Sequence, residues 1–142
     1  MSVAVDRDHR PGLHPIHAIL LAAVLPLLFG TLLCDIAYWK TAQIQWNNFA
    51  SWLLAGALVV GAIALVAALV AWIRAEGARG RHLLYFLLLL AVWVLAFVDV
   101  LVHARDAWAT MPDALVMSVI VAALACVAKW IALAGLSRRV AP

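Results

Sequence analysis

Four apolar runs, each close to the length that crosses a bilayer, leave this chain one solvent in which it can fold. They extend from about Ile16 to Trp39, Phe49 to Ile73, Leu83 to Val102 and Ala114 to Leu136. A membrane-crossing helix needs about 20 predominantly apolar residues. Backbone amides in hydrocarbon have no water to bond, so each run must satisfy its own ladder as a helix. Composition agrees: the chain is 68% hydrophobic and only 12% charged, with a mean hydropathy of +1.08. Soluble chains are about a quarter charged. The breaks between runs are short and polar. Lys40–Asn48 carries Gln43, Gln45, Asn47 and Asn48, Arg74–Arg81 carries Gly77 and Gly80, and Arg105–Asp113 carries Pro112. Connections this short make sequential helices antiparallel neighbours. The expectation is an all-α, integral membrane four-helix antiparallel bundle: one domain over residues 1–142 with a polar tail at 1–12. The first run is too long for the apolar region of a cleaved signal peptide and is expected to be retained.

The net charge of +3 is better read as a topology code than as a nucleic-acid footprint, because the cations sit at the ends of the runs. Arg7 and Arg10 precede the first helix, Arg74, Arg79 and Arg81 lie in the second connection, and Arg138 and Arg139 in the tail; the other two connections hold only Lys40 and Arg105. Basic residues stay on the cytoplasmic side, which predicts both termini there. Trp39, Trp46, Trp52, Trp72, Trp108 and Trp130 lie near run ends, where interfacial anchors belong. Ala57, Gly61, Ala64 and Ala68 form a small-residue stripe on the second helix, and Ser118, Ala122 and Ala125 another on the fourth, which lets backbones approach closely. Cys34 and Cys126 lie inside apolar runs with no CxxC or zinc-type spacing and read as membrane-core residues.

Ionisable residues inside membrane segments are rare and usually functional. Here they form two groups, at opposite membrane faces. The first and third helices run in the same direction, which brings His14 and His17 to the depth of His82, with Lys129 of the fourth helix close to that layer. Imidazoles at matched depth on two helices would suit the axial positions of a b-type haem, with Lys129 or an arginine holding a propionate. A transition metal is the other sharp option. The bland one is histidine resting at a membrane boundary. In the second group Asp99 and His103, four residues apart, share one face of the third helix, and Asp35 lies near the far end of the first. A carboxylate beside an imidazole can orient it or pass a proton; it can equally fix the bundle. His82 and His103 are 21 residues apart on one helix, about 32 Å at 1.5 Å per residue, so they cannot share a small cofactor. His17 and Asp35 fall on one stripe of the first helix at its opposite ends, with Pro26 and Gly30 between them.

The run Gly12-Leu13-His14-Pro15-Ile16-His17, followed by Gly30-Thr31-Leu32-Leu33-Cys34-Asp35-Ile36-Ala37-Tyr38-Trp39, resembles the opening of the bacterial membrane family called domain of unknown function 2231. That family tends to open with His-Pro-x-His-Pro and an Asp about eighteen residues after the second histidine, the spacing of His17 and Asp35. The resemblance continues through Trp46, the Ser51–Gly56 run, the arginine-rich second connection, His82, Pro112 and Ser118. Ala18, Asp99 and Lys129 depart from it, standing where a proline, an amide and a small residue are usual. The resemblance implies the four-helix fold and a bacterial cytoplasmic membrane. Because relatives occur beside or fused to redox domains, it also implies electron-transfer company.

Three functions follow as expectations. The first is a haem b-binding redox or membrane-anchor subunit for an electron-transfer partner, using His14, His17, His82 and Lys129. The second is a non-catalytic structural or assembly protein of the membrane, held by its packing stripes and open to homo-oligomerisation. The third is a small proton- or ion-conducting element using Asp35, Asp99 and His103, whose route across the membrane would follow the stripes of the first and third helices. An enzyme acting alone is not expected, since no nucleophile has a base at useful spacing and no glycine loop is built for phosphate.

Overall fold

The computed structural model describes residues 15–75, 79–105 and 107–137. They form four helices, α1 (Pro15–Thr41), α2 (Ile44–Ile73), α3 (Arg79–His103) and α4 (Asp113–Ser137), with one 3₁₀ turn at Ala107–Thr110. The described residues contain no strand. Each helix is long and apolar enough to cross a membrane. Neighbours pack as α1–α2, α2–α3, α3–α4 and α4–α1, so the chain closes into an antiparallel four-helix bundle. Two ends follow from this topology. At the terminal end α1 begins and α4 finishes; the distal end holds the α1–α2 and α3–α4 connections.

The buried positions explain the closure. On α2 they are Asn47, Ala50, Leu54, Ala57, Gly61, Ala64 and Ala68, a strict alternation of three- and four-residue steps. The same spacing appears on α1 in Val24, Leu28, Thr31, Asp35 and Tyr38, on α3 in Leu89, Val92, Ala96, Asp99 and His103, and on α4 in Ala114, Ser118, Val121, Ala125 and Ala128. A repeat averaging 3.5 residues keeps one seam of each helix on its partners, the geometry of left-handed coiled-coil packing. The outer surface is not polar. It presents Ile19, Leu33, Val59, Ile63, Val66 and Val116, all well exposed, so large aliphatics face outward, while the seam mixes alanines and polar residues with a few large side chains such as Leu28 and Leu54. Without a hydrophobic force between helices in lipid, close approach and internal hydrogen bonds hold such a bundle together. Gly61 provides one such approach. A Cβ there would meet Trp93 Cδ1 at 3.3 Å, and the Trp93 indole uses that room to donate from Nε1 to the Leu58 carbonyl at 3.0 Å.

The helix limits differ from the sequence expectation where polar residues were read as loop. α2 starts at Ile44 rather than about Phe49, so most of the polar run Lys40–Asn48 is helical. Only Ala42 and Gln43 separate α1 from α2. Ala42 takes a left-handed φ of 54°, and Gln43 is extended as the N-cap. Thr41 Oγ1 donates to the Ala37 carbonyl at 2.7 Å, which holds the end of α1 into this turn. Asn47 is buried within the first turn of α2, so the polar run belongs to the helix end rather than marking a long break. α1 runs unbroken through Pro26.

Candidate functional site: a buried carboxylate–imidazole cluster at the distal end

The described buried polar side chains are Thr31, Asp35, Asn47, Asp99, His103, Thr110 and Ser118, and all belong to the distal half of the bundle. Four of them form one connected group. His103, the last residue of α3, places its Nε2 2.9 Å from Asp35 Oδ1 of α1. Its Nδ1 lies 2.9 Å from the Asp99 backbone carbonyl and 3.2 Å from Asp99 Oδ1. On α4, the Ser118 hydroxyl meets Asp35 Oδ2 in a short contact and reaches the Ala114 carbonyl at 2.8 Å. The His103, Asp35 and Asp99 side chains are completely excluded from solvent. The helical register brings this about. Asp99 and His103 are one four-residue step apart on the seam of α3, Ser118 occupies a seam position of the neighbouring α4, and Asp35 one of α1, diagonally across the bundle.

Hydrogen-bond bookkeeping restricts the protons. A backbone carbonyl only accepts, so Nδ1 must carry its hydrogen toward Asp99. One further proton lies between Nε2 and Asp35 Oδ1; on nitrogen it makes an imidazolium–carboxylate pair, on oxygen a neutral pair. The Ser118 hydroxyl has a single proton and two acceptors, Asp35 Oδ2 and the Ala114 carbonyl. When it turns to Ala114, the contact with Asp35 needs a proton from the carboxyl. The chain Asp99–His103–Asp35–Ser118 therefore offers several proton placements on nearly fixed heavy atoms. The Asp99 carboxyl is the odd member. Neither of its oxygens makes a hydrogen bond, because the Nδ1 hydrogen is aimed at the backbone carbonyl instead. Buried polar groups are almost always satisfied, so such an atom marks a proton, a water or a ligand position.

Ser118 bonds a carboxylate and a backbone carbonyl rather than an imidazole nitrogen, so its contacts are not those of a Ser-His-Asp triad.

A family model described as a predicted membrane protein (DUF2231) matches residues 13–134. The chain belongs to this family. No curated protein and no solved structure matches it. The DUF2231 match spans α1 to α3 and α4 as far as residue 134, and takes in both His17 and Asp35 of α1.

The structure unites Asp35, Asp99 and His103, which the sequence placed at one face without deciding whether Asp35 joined the other two. Ser118 was read only as a packing residue. Its role in holding Asp35 was missed, although a hydroxyl on the seam of an apolar helix is the signal that finds it. Of the other group, His82 and Lys129 lie toward the terminal end, away from this cluster. His14 lies outside the described residues, and His17 is described only as a backbone position of α1, one heptad before Val24. His82 is half-buried in the first turn of α3, one heptad before Leu89, and Lys129 is half-buried on α4. Among the described residues, no group of three or more His, Cys, Asp or Glu side chains is arranged to hold a metal ion. Between the two ends the seam is apolar: Val24, Leu28, Leu54, Val92, Ala96, Val121 and Ala125 pack together there.

Proposed function

We propose that this DUF2231 protein is a non-enzymatic membrane module that holds and exchanges a proton at the distal end of its bundle. The observation that carries the reading is His103, bound between two fully buried carboxyls of which one, Asp99, lacks a hydrogen-bonding partner. Ionisable groups in a membrane core are retained for function more often than for stability, since an unpaired charge there is expensive. Uptake and release involve only O–H and N–H bonds: one proton enters at the Asp99 carboxyl, and the Asp35–His103–Ser118 chain redistributes charge around it. The apolar middle of the seam argues for a site served from one face rather than a route through a single chain. Seven described or terminal arginines at one end against Lys40 and Arg105 at the other support a bacterial cytoplasmic membrane location, with the termini inside and the cluster near the outer face. Infrared difference spectra of the lipid-reconstituted protein, between mildly acidic and mildly alkaline buffer, test this. The proposal expects a protonated-carboxyl stretch that changes with pH and is removed by Asp99→Asn. The absence of any carboxyl change in the parent protein would overturn it.

A second reading concerns the terminal end. His17 and His82 both fall on seam registers, one heptad beyond the last described core residues of their helices, and exposed Arg79 and Arg81 flank His82. That placement favours a haem b held by histidines of α1 and α3 with an arginine or Lys129 on a propionate. In that case the protein anchors or serves an electron-transfer partner. Oxidised and dithionite-reduced absorption spectra of the purified protein decide it: a Soret band lost in His17→Ala or His82→Ala supports the reading, and a colourless preparation from haem-sufficient cells removes it.

A further inference from the structure

The helices α1 and α3 run in the same direction and bury their residues in the same rhythm. Val24, Leu28, Thr31 and Asp35 on α1 match Val92, Ala96, Asp99 and His103 on α3, each pair 68 residues apart. The outermost pair is in direct contact, with His103 Nε2 2.9 Å from Asp35 Oδ1. The two innermost pairs, Val24 with Val92 and Leu28 with Ala96, belong to one packed core cluster. Parallel helices of one pitch keep such an offset along their length. The remaining pair, Thr31 and Asp99, therefore faces across the same axis, one turn inward from the Asp35–His103 contact. Both residues are completely buried. Their hydrogen-bonding needs are complementary. Thr31 Oγ1 donates to the Leu27 carbonyl at 3.0 Å, which uses its one proton and leaves its lone pairs open. The Asp99 carboxyl makes no hydrogen bond, and its Oδ1 stands 3.2 Å from His103 Nδ1.

We propose that Thr31 is the acceptor for the proton held at Asp99: the ionised carboxyl stands beside His103, and the protonated one turns to donate to Thr31 Oγ1. An ionised carboxyl is drawn to the imidazole, whereas a neutral one carries a buried O–H that must find an acceptor. Other described polar groups do not offer one at this depth. Asp35, His103 and Ser118 are engaged with one another, while Asn47 and Thr110 lie nearer the distal end, in the first turn of α2 and in the turn before α4. From α2 and α4 the seam contributes Leu54 and Val121, apolar residues packed with Leu28 and Ala96. Thr31 is thus a positioning residue. The proton comes from the medium, one O–H bond forms on the Asp99 carboxylate, and the Thr31 hydroxyl keeps its bond to Leu27. The inference rests on the proton-holding reading above and adds to it where the neutral carboxyl points.

Isotope-edited infrared spectra of the full-length protein in lipid, with and without carbon-13 at the aspartate carboxyls, provide the test. They show a protonated carboxyl at one fixed pH, whether or not it exchanges, and Asp99→Asn assigns it. In mildly acidic buffer Thr31→Val, which keeps the shape and removes the acceptor, should move the Asp99 band to higher wavenumber. Thr31→Ser, which restores a hydroxyl, should return it. A second measurement needs no change at Thr31: solid-state NMR of the parent protein should show a cross-peak between the Asp99 carboxyl carbon and the Thr31 β-carbon in acidic buffer, weaker in alkaline buffer. An Asp99 band that titrates but ignores Thr31→Val, a Thr31→Ser band that stays with Thr31→Val, or a missing cross-peak would each overturn the role of Thr31 alone. A band that shifts in Thr31→Val but is the same in acidic and alkaline buffer would support Thr31 and remove proton exchange. No protonated Asp99 band in acidic buffer would overturn both.

Discussion

Removing Asp35 should destabilise the bundle through one specific contact, and the size of the loss identifies what that contact is. In Asp35→Ala, His103 Nε2 loses its partner at 2.9 Å in a position with no access to solvent. Ser118 is not orphaned, because it keeps the Ala114 carbonyl at 2.8 Å, so nearly all of the loss belongs to the imidazole. Two magnitudes compete. A neutral hydrogen bond between membrane helices contributes about 0.6 kcal/mol and at most about 1.7. Breaking a buried ion pair by removing one partner costs about 3–5 kcal/mol, because a charge is left uncompensated. Two proton-sharing carboxyls around one imidazole make the second case the expected one, and because Asp99 still faces Nδ1 at 3.2 Å, Asp35→Ala should fall at the lower edge of that range, about 3 kcal/mol. His103→Ala should lose a similar amount, and the double variant much less than the sum, with a coupling of about 2–3 kcal/mol. Reversible unfolding in mixed micelles, followed by tryptophan fluorescence and circular dichroism, measures all four corners of the cycle. A coupling below about 1 kcal/mol would refute the ion-pair reasoning and reduce the contact to an ordinary interhelical hydrogen bond.

Other consequences are less central. Gly61→Leu should cost about 1–3 kcal/mol, because the side chain enters the space of Trp93 and breaks its bond to the Leu58 carbonyl; Gly61→Ala, whose Cβ meets only the edge of that indole, should cost clearly less, and the same unfolding assay separates them. A small membrane-permeant thiol reagent should modify exposed Cys126 well before buried Cys34, which mass spectrometry of the two peptides reads directly; equal rates would contradict the packing of α1.

The fold was legible because lipid removes most alternatives. Runs such as Phe49–Ile73 can only be helices, and three short connections leave only an antiparallel bundle. The stripe Ala57, Gly61, Ala64 and Ala68 was also readable, and all four are buried. What composition hid was where the helices begin. Asn47 looked like loop and is a buried seam residue in the first turn of α2, because amides at the interface are as compatible with helix as with turn. The polar cluster was half visible. The four-residue spacing of Asp99 and His103 is a property of one helix and can be read from the chain alone. The partnership of Asp35 with His103, 68 residues away, and of Ser118 with Asp35, 83 residues away, depends on which seams meet at one depth. The heptad register fixes that: Asp35, His103 and Ser118 all sit on seam positions, so their meeting follows once the 3.5-residue period is recognised in place of a general apolar run. At the terminal end the same register marks His17 and His82, and the side chain of His17 lies outside the described residues.

The account depends most directly on where the protons of His103 lie. Nitrogen-15 NMR of the lipid-reconstituted protein, labelled at its histidine rings and assigned by the signal missing from His103→Asn, reports them atom by atom. The account predicts an Nδ1 that is protonated at every pH at which the bundle is folded, because it faces the Asp99 carbonyl, and an Nε2 whose resonance moves as the cluster exchanges its proton. An Nδ1 without a proton would contradict it, since His103 would then not be bound between the two carboxyls as described.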